Sequence, residues 1–393
     1  MTQNTGSNNS QNKINLVADP HRPLSPAIYQ TAVFLFENTA DLIRFVEAKS
    51  PNRFEYARYG NPTRRAMEYV LAELEGGEDA VLCSSGMSAC TMPPLALLQS
   101  GDQMIFTSDS YLKTRTFVEK TLPNFGISTI IVEPTVDAVA KAIQPNTKMI
   151  FTEMPTNPLY RIIDLEGLTL LAKKNNIITM IDATLASPVN LNPIRHGADI
   201  VIHSMTKFFA GQNDLIAGGI VGRQDLISKI RDRIGELGAI LAPQECYRLL
   251  MTTKTMQLRV AHQNTASLHI AQYLETHKRI RRVFHPMLAS NTDTSNAKKY
   301  LKGGGCLLTI DIDSNFDQMR KFCDATRIFK IGPSFGSPDS LIDPPVIMSH
   351  WDVSPENRKA MGITDSMVRI SVGLEDVDEL KADIDQALQK AFA

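Results

Sequence analysis

Between residues 80 and 221 the chain repeats one unit: a short apolar run, a polar or glycine-bearing turn, and an amphipathic helix. Strand-like runs fall at Ala80–Cys83, Asp102–Thr107, Ile127–Val132, Thr147–Thr152, Ile177–Asp182, Asp199–Ile202 and Ile216–Val221, with helices at Tyr111–Lys120 and Leu165–Asn175. Buried strands alternating with helices predict an α/β fold built on a mostly parallel sheet. In such sheets ligands bind beyond the carboxyl ends of the strands. Ser85, Asn157, Asp182 and Lys207 all sit at or just past such ends. That coincidence directs the search for a site.

The chain of 393 residues is long enough for more than one core. The expected division is an N-terminal arm over 1–55, a large domain over 56–249 and a smaller C-terminal α/β domain over 250–393. The first twelve or so residues, rich in Asn, Gln, Ser and Thr, read as disordered. The arm carries one amphipathic helix near Thr39 to Lys49, and Thr63 reads as the cap of a helix running to Leu74. After Gly222, long helices are expected at Leu226–Leu237, Cys246–Arg259 and Thr265–Thr276. The strands Leu307–Ile312 and Met367–Val372 and a closing helix, Glu375–Phe392, follow.

Charge excludes some partners. With 41 basic and 42 acidic residues, nothing favours nucleic acid or an anionic membrane. The five cysteines show no metal-ligand spacing, so no metal is expected and the thiols read as small buried hydrophobes in a reducing compartment. No apolar run reaches membrane-spanning length and the first residues lack signal-peptide form, so a cytoplasmic location is expected.

Candidate chemistry begins at Ser204-Met-Thr-Lys207, which follows the strand Asp199–Ile202 and precedes a glycine-spaced loop. Apolar walls lower an amine's pKa, and a neutral amine condenses with an aldehyde. Ser204 and Thr206 supply hydroxyls for a phosphate. Ser85-Gly86-Met87 opens a helix directly after a strand, where free N–H groups and the helix dipole favour an anion. Asp182 suits a protonated ring nitrogen. Tyr111 suits ring stacking, Asn157 the ring hydroxyl and Arg369 a substrate carboxylate. Each of these has a plain alternative (surface lysine, tight connection, helix cap), and the set carries the argument. Together the parts meet the needs of pyridoxal 5'-phosphate.

The ordered run Tyr56-x-Arg58-x-Gly-Asn-Pro-Thr63, Ser85-Gly-Met87, Tyr111, Glu153-x-Pro-Thr-Asn157-Pro, Asp182 and Ser204-x-Thr-Lys207 resembles the cysteine/methionine-metabolism family of pyridoxal-phosphate enzymes. Three stretches resemble its plant-type cystathionine γ-synthases: Tyr111 to Phe117 with Leu122 to Gly126, Gly211-Gln-Asn-Asp214, and Pro333 to Gly336 with Ile347 to Asp352. The resemblance implies a fold-type I enzyme, a homotetramer of dimers, with Tyr56 and Arg58 reaching the neighbouring subunit's cofactor phosphate. It implies cofactor contacts from Ser85, Gly86, Met87, Tyr111, Asn157, Asp182, Thr184, Ser204, Thr206 and Lys207, with Lys207 and Tyr111 catalytic. Substrate contacts would come from Lys113, Asn157, Ser334, Asp339 and Arg369. The implied reaction is γ-replacement on O-phospho-, O-succinyl- or O-acetylhomoserine with cysteine. The alternatives are a γ-lyase, a sulfhydrylase, a γ-substitution with another nucleophile, and a non-catalytic cofactor-binding protein. Asp339 stands where many relatives carry glutamate, and Ala183 and Ser337-Pro338 also depart from the common pattern.

Overall fold

The structure, a computed structural model, describes residues 23–48, 53–349 and 351–393. The polar terminus expected to be disordered lies outside the described residues. One sheet has seven strands in the order β1-β7-β6-β5-β4-β2-β3. These are β1 (Asp79–Cys83), β2 (Gln103–Thr107), β3 (Ser128–Val132), β4 (Thr147–Glu153), β5 (Ile178–Asp182), β6 (Ile200–Ser204) and β7 (Gly218–Gly222). β7 pairs antiparallel with both β1 and β6, and the other pairs are parallel. All strands except β7 therefore end at one edge. The α/β class and parallel character expected from the alternation are what the chain adopts.

β1, β2 and β7 are buried along their whole length, which explains their continuous apolar sequences. Phe106 and Phe151 stack across β2 and β4 at 5.0 Å between ring centroids. Helix Pro62–Glu75 covers the β1–β7 side, but its cap is Asn61, not Thr63. The Asn61 side chain accepts the N–H groups of Thr63 and Arg64. Pro62 occupies the first helical turn, which moves the cap two residues earlier than expected. Thr63 Oγ1 instead accepts Tyr29 N–H at 2.9 Å and donates to Ala27 O at 3.1 Å, tying the arm down.

A second sheet has the order β10-β11-β12-β9-β8. Its strands are β8 (Ile280–Phe284), β9 (Leu307–Ile312), β10 (Lys330–Ile331), β11 (Leu341–Asp343) and β12 (Met367–Ser371). Leu308, Ile310, Val368 and Ile370 on this sheet pack with Ile270, Met319, Phe322 and Ile384 from the helices Met256–Glu275, Phe316–Ala325 and Val377–Ala391. β8 escapes a sequence reading because Arg281 and Arg282 interrupt its apolar pattern, while β10 and β11 are too short to show a period.

The long helices also differ from expectation. The break falls after Pro243–Thr253, and Met256–Glu275 is then continuous. Buried Arg259 explains this: its Nη2 donates to Thr252 O at 3.1 Å, ending one helix, and to Phe208 O at 2.9 Å. Asn264 turns its side chain onto Asn190 and Gly305 N–H, leaving its helix uninterrupted.

Phe322 is fully buried against the second sheet. Phe322→Ala should lower the unfolding free energy by about 3–5 kcal/mol, read by urea denaturation.

Candidate active site

The turn after β6 brings Lys207 back over the sheet edge. Lys207 N–H bonds Ser204 O at 3.1 Å, and Gly211 N–H bonds Lys207 O at 2.7 Å. The ammonium Nζ donates to Ser334 Oγ at 2.8 Å and sits 5.0 Å from the Phe335 ring centroid. Burial of the amine, reinforced by the Arg369 charge, brings its pKa down from the ordinary lysine value to about 8. Ser334 itself holds φ at +106°, an unusual conformation that presents its hydroxyl to the lysine.

Beside the lysine lies the start of helix Gly86–Leu97, capped by Ser85, whose Oγ accepts Ser88 N–H at 3.1 Å. Glycine is required at two places here. A Cβ on Gly86 would lie 2.6 Å from Ser204 Cβ, and one on Gly218 would lie 2.0 Å from Ser85 O. The helix start and the β6 end therefore close to backbone contact. Thr206 is fixed on the same loop, its Oγ1 accepting Ala217 N–H at 3.0 Å. Met87 Sδ is approached by Thr114 Oγ1 at 3.9 Å.

Asp182 ends β5. Its Oδ1 accepts Thr184 N–H at 3.0 Å and Thr184 Oγ1–H at 2.6 Å. Thr184 Oγ1 in turn accepts Ser204 N–H at 2.8 Å, linking the carboxylate to β6. The other oxygen, Oδ2, meets only the Cys90 thiol among the described residues, at 4.0 Å. Burial raises the Asp182 pKa. Glu153, directly opposite Asp182 in the β4–β5 register, accepts Tyr111 N–H at 2.7 Å. Burial, and then the Asp182 charge, raise its pKa well above the carboxylate range.

Tyr111, 49% exposed, faces an open cleft that Asn157, Arg115, Asp343 and Arg369 also line. Arg369 is ion-paired with Asp343, its direct cross-strand partner on β11.

Four expected residues, Tyr56, Arg58, Asp339 and Lys113, stand apart from this group. Arg58 lies over the rings of Tyr59 and Tyr56, at 4.4 and 5.6 Å, and donates to Gly235 O. Among the described residues, neither Tyr56 nor Arg58 bonds any residue of the Lys207 cluster. Asp339 is exposed and pairs with Lys330 at 3.1 Å. Lys113 is exposed on the short helix Leu112–Thr116, whose Arg115 is the cation that lines the cleft. Sequence reasoning missed the roles of Asp343, Arg115, Glu153 and Phe335. Of these, Glu153, Arg115 and Phe335 stood inside quoted motifs and carried a signal.

These residues fit pyridoxal phosphate. The amine is desolvated, a helix start and two hydroxyls form a cradle that a Cβ would fill, and a buried carboxylate keeps one oxygen without a strong donor.

Comparison with known proteins gives the same picture. The Cys/Met metabolism PLP-dependent enzyme family matches residues 11–389. Cystathionine γ-synthase 1, chloroplastic, of Nicotiana tabacum is 41% identical over 367 residues, 93% of this chain and 68% of its own length. The Arabidopsis thaliana protein of the same name is 39% identical over 368 residues, covering 93% of this chain and 65% of its own length. The chain thus spans about two thirds of these plant relatives. An L-methionine γ-lyase of Fusobacterium nucleatum subsp. polymorphum is 34% identical over 372 residues, covering 93% and 94%. Among solved structures, metB from Corynebacterium glutamicum has a TM-score of 0.90 at 28% identity, covering 97% of this chain and 96% of its own. A putative O-acetylhomoserine (thiol)-lyase (metY) of Campylobacter jejuni subsp. jejuni also has a TM-score of 0.90. It is 30% identical over 97% of this chain and 100% of its own, and carries N'-pyridoxyl-lysine-5'-monophosphate.

Gly86→Ala should push Ser204 away from the helix start and weaken cofactor binding by on the order of tenfold or more, measured by equilibrium dialysis. In cofactor-free protein, the rate of reductive methylation of Lys207, followed by peptide mass spectrometry, should rise through a pH near the value of about 8 set by its burial. A midpoint at the ordinary lysine value would contradict the desolvation argument.

Proposed function

The chain belongs to the Cys/Met metabolism family of PLP-dependent enzymes, and from that premise we propose that it joins an activated homoserine to cysteine, replacing the γ-substituent to give cystathionine. The observation that carries this reading is the cleft lined by Tyr111 and Asn157, where Arg369 and Arg115 offer guanidinium groups at two points of one space. An O-acylated or O-phosphorylated homoserine has a carboxylate at one end and a polar ester at the other. The 41% identity to a cystathionine γ-synthase supports the same choice.

In this proposal Ser85, Gly86, Met87, Ser204 and Thr206 hold the cofactor phosphate, joined by Tyr56 and Arg58 of a second copy of the chain. Asp182 holds the ring nitrogen protonated, and Thr184 fixes the carboxylate that does so. Tyr111 stacks on the ring, while burial keeps its phenol protonated. Asn157 bonds the ring hydroxyl. Bound pyridoxal phosphate supplies an electron sink for charge developing at the substrate's α-carbon. Arg369, Asn157 and Ser334 seat the α-carboxylate. Lys207, its pKa brought down to about 8, takes the α proton and returns protons along the substrate carbon chain while the γ-substituent departs. Lys113 and Arg115 receive that substituent, and Asp339 lies at the rim. Cysteine thiolate then adds at Cγ.

The domain division at residues 55 and 249, a homotetramer of dimers and a cytoplasmic location belong to the same proposal. Exposed Leu24, Val33 and Leu35 on the arm support self-association. A γ-lyase or sulfhydrylase is the second reading, favoured by the 34% identity to a methionine γ-lyase over most of both chains.

Product analysis by mass spectrometry decides between them. With O-phospho-, O-succinyl- or O-acetylhomoserine, cystathionine should form only when cysteine is present. Equal 2-oxobutyrate and ammonia with and without cysteine would make the protein a lyase. Lys207→Ala should cut turnover by about 10²–10⁴-fold or more. Arg115→Ala and Lys113→Ala should each raise KM for the ester by about tenfold, with less effect on kcat.

A further inference from the structure

Asp343 was given no part in the chemistry above, yet it is the buried partner of the cleft's principal guanidinium. It ends β11, directly opposite Arg369 on β12. Its side chain is 4% exposed and that of Arg369 12%, and the two form an ion pair through Oδ2 and Nη2. Both line the cleft with Tyr111 and Asn157. Asp343 is the hydrogen-bond acceptor for Arg369 among the described residues. A guanidinium has five N–H donors in a rigid plane, so an acceptor on one edge fixes where the other edge points.

We propose that Asp343 is the positioning residue for Arg369: it takes the Nη2 edge and turns the remaining N–H groups toward the cleft to receive an amino-acid carboxylate. The inference rests on the proposed seating of the α-carboxylate at Arg369. It adds a reason for an acid to stand beside an anion site. Without Asp343 the long arginine side chain would be free to rotate, and its unopposed charge would act on Lys207. The other ionisable groups with interactions reaching Arg369 or Asp343 are Lys207, Cys306, Tyr160, Tyr111, Glu153 and Cys323. Of these Lys207 is the cation that Asp343 also steadies.

The test uses the holoenzyme with O-phosphohomoserine and cysteine, and with propionate as a carboxylate inhibitor that undergoes no reaction. Asp343→Ala should raise both KM and the propionate inhibition constant about tenfold, with a smaller change in kcat, because a substrate-orienting contact is loosened. Asp343→Asn keeps an acceptor oxygen and should recover both constants to within about threefold. If the alanine variant fails to fold, Asp343→Glu carries the same expectation, since its longer arm displaces the guanidinium. Unchanged constants in the alanine or glutamate variant would overturn the proposal, as would an asparagine variant as impaired as alanine. Arg369→Ala separates the two levels. If it leaves KM and propionate inhibition unchanged, the carboxylate seat itself is wrong. If it raises both while the Asp343 variants do not, only the positioning role fails.

Discussion

Everything at this site depends on keeping one amine out of water. Lys207 sits on a turn that the sheet edge, the Phe335 ring and Ser334 close over, and its pKa falls to about 8 as a result. An exposed lysine at an ordinary pKa would be almost wholly protonated near neutrality and a poor nucleophile or base. The surrounding fold maintains that desolvation. Gly86 and Gly218 let the helix start and the β6–β7 hairpin approach to backbone contact. Arg259 bonds the carbonyl of Phe208, the residue after the lysine, and fixes the turn from behind.

The charges around the amine are divided between the two sheets. Asp182 and Glu153 come from β5 and β4 of the large sheet, while Arg369 and Asp343 come from β12 and β11 of the second. Lys207 lies between, joined to the second sheet's loops by its bond to Ser334. Tyr160 and Thr309 make another such link, with their hydroxyls 3.3 Å apart. An acid on one side and a guanidinium on the other suit a ligand that is cationic at a ring nitrogen and anionic at a carboxylate. The acids and the guanidinium are buried, and each would cost several kcal/mol to desolvate alone. Asp343 offsets that cost for Arg369, and Thr184 with its backbone N–H does so for Asp182.

Much of this was legible in the sequence because it is encoded locally. A strand followed at once by Ser-Gly-Met, a strand ending in Asp182 and a strand leading to Lys207 each announce themselves within ten residues. The parallel sheet followed from the same alternation. Asp343 was not legible because its meaning comes from register. β11 has three residues, no detectable period and a partner 26 positions away. The helix break was misplaced for a similar reason: Arg259 acts on Thr252 and on Phe208, and that contact is invisible along the chain. The cap at Asn61 was a local signal read two residues too late, since Pro62 already marked the first turn. Lys113 was singled out over Arg115 because both are cations on one short helix, and only the three-dimensional turn shows which of them borders the cleft.

Glu153 shows how a residue can serve the site without touching a substrate. Its carboxyl is buried beside Asp182, so two acids compete for protons in one water-poor space. The acid lying farther above its ordinary range is Glu153, and it is the one anchored to Tyr111 N–H. By accepting that N–H, Glu153 holds the backbone of the aromatic residue in place. Asp182 is left as the acid beside the cradle, with one oxygen fixed by Thr184 and the other bearing no strong donor. That asymmetry between adjacent strand-end acids, one anchoring backbone and one facing the ligand, follows from register and burial alone.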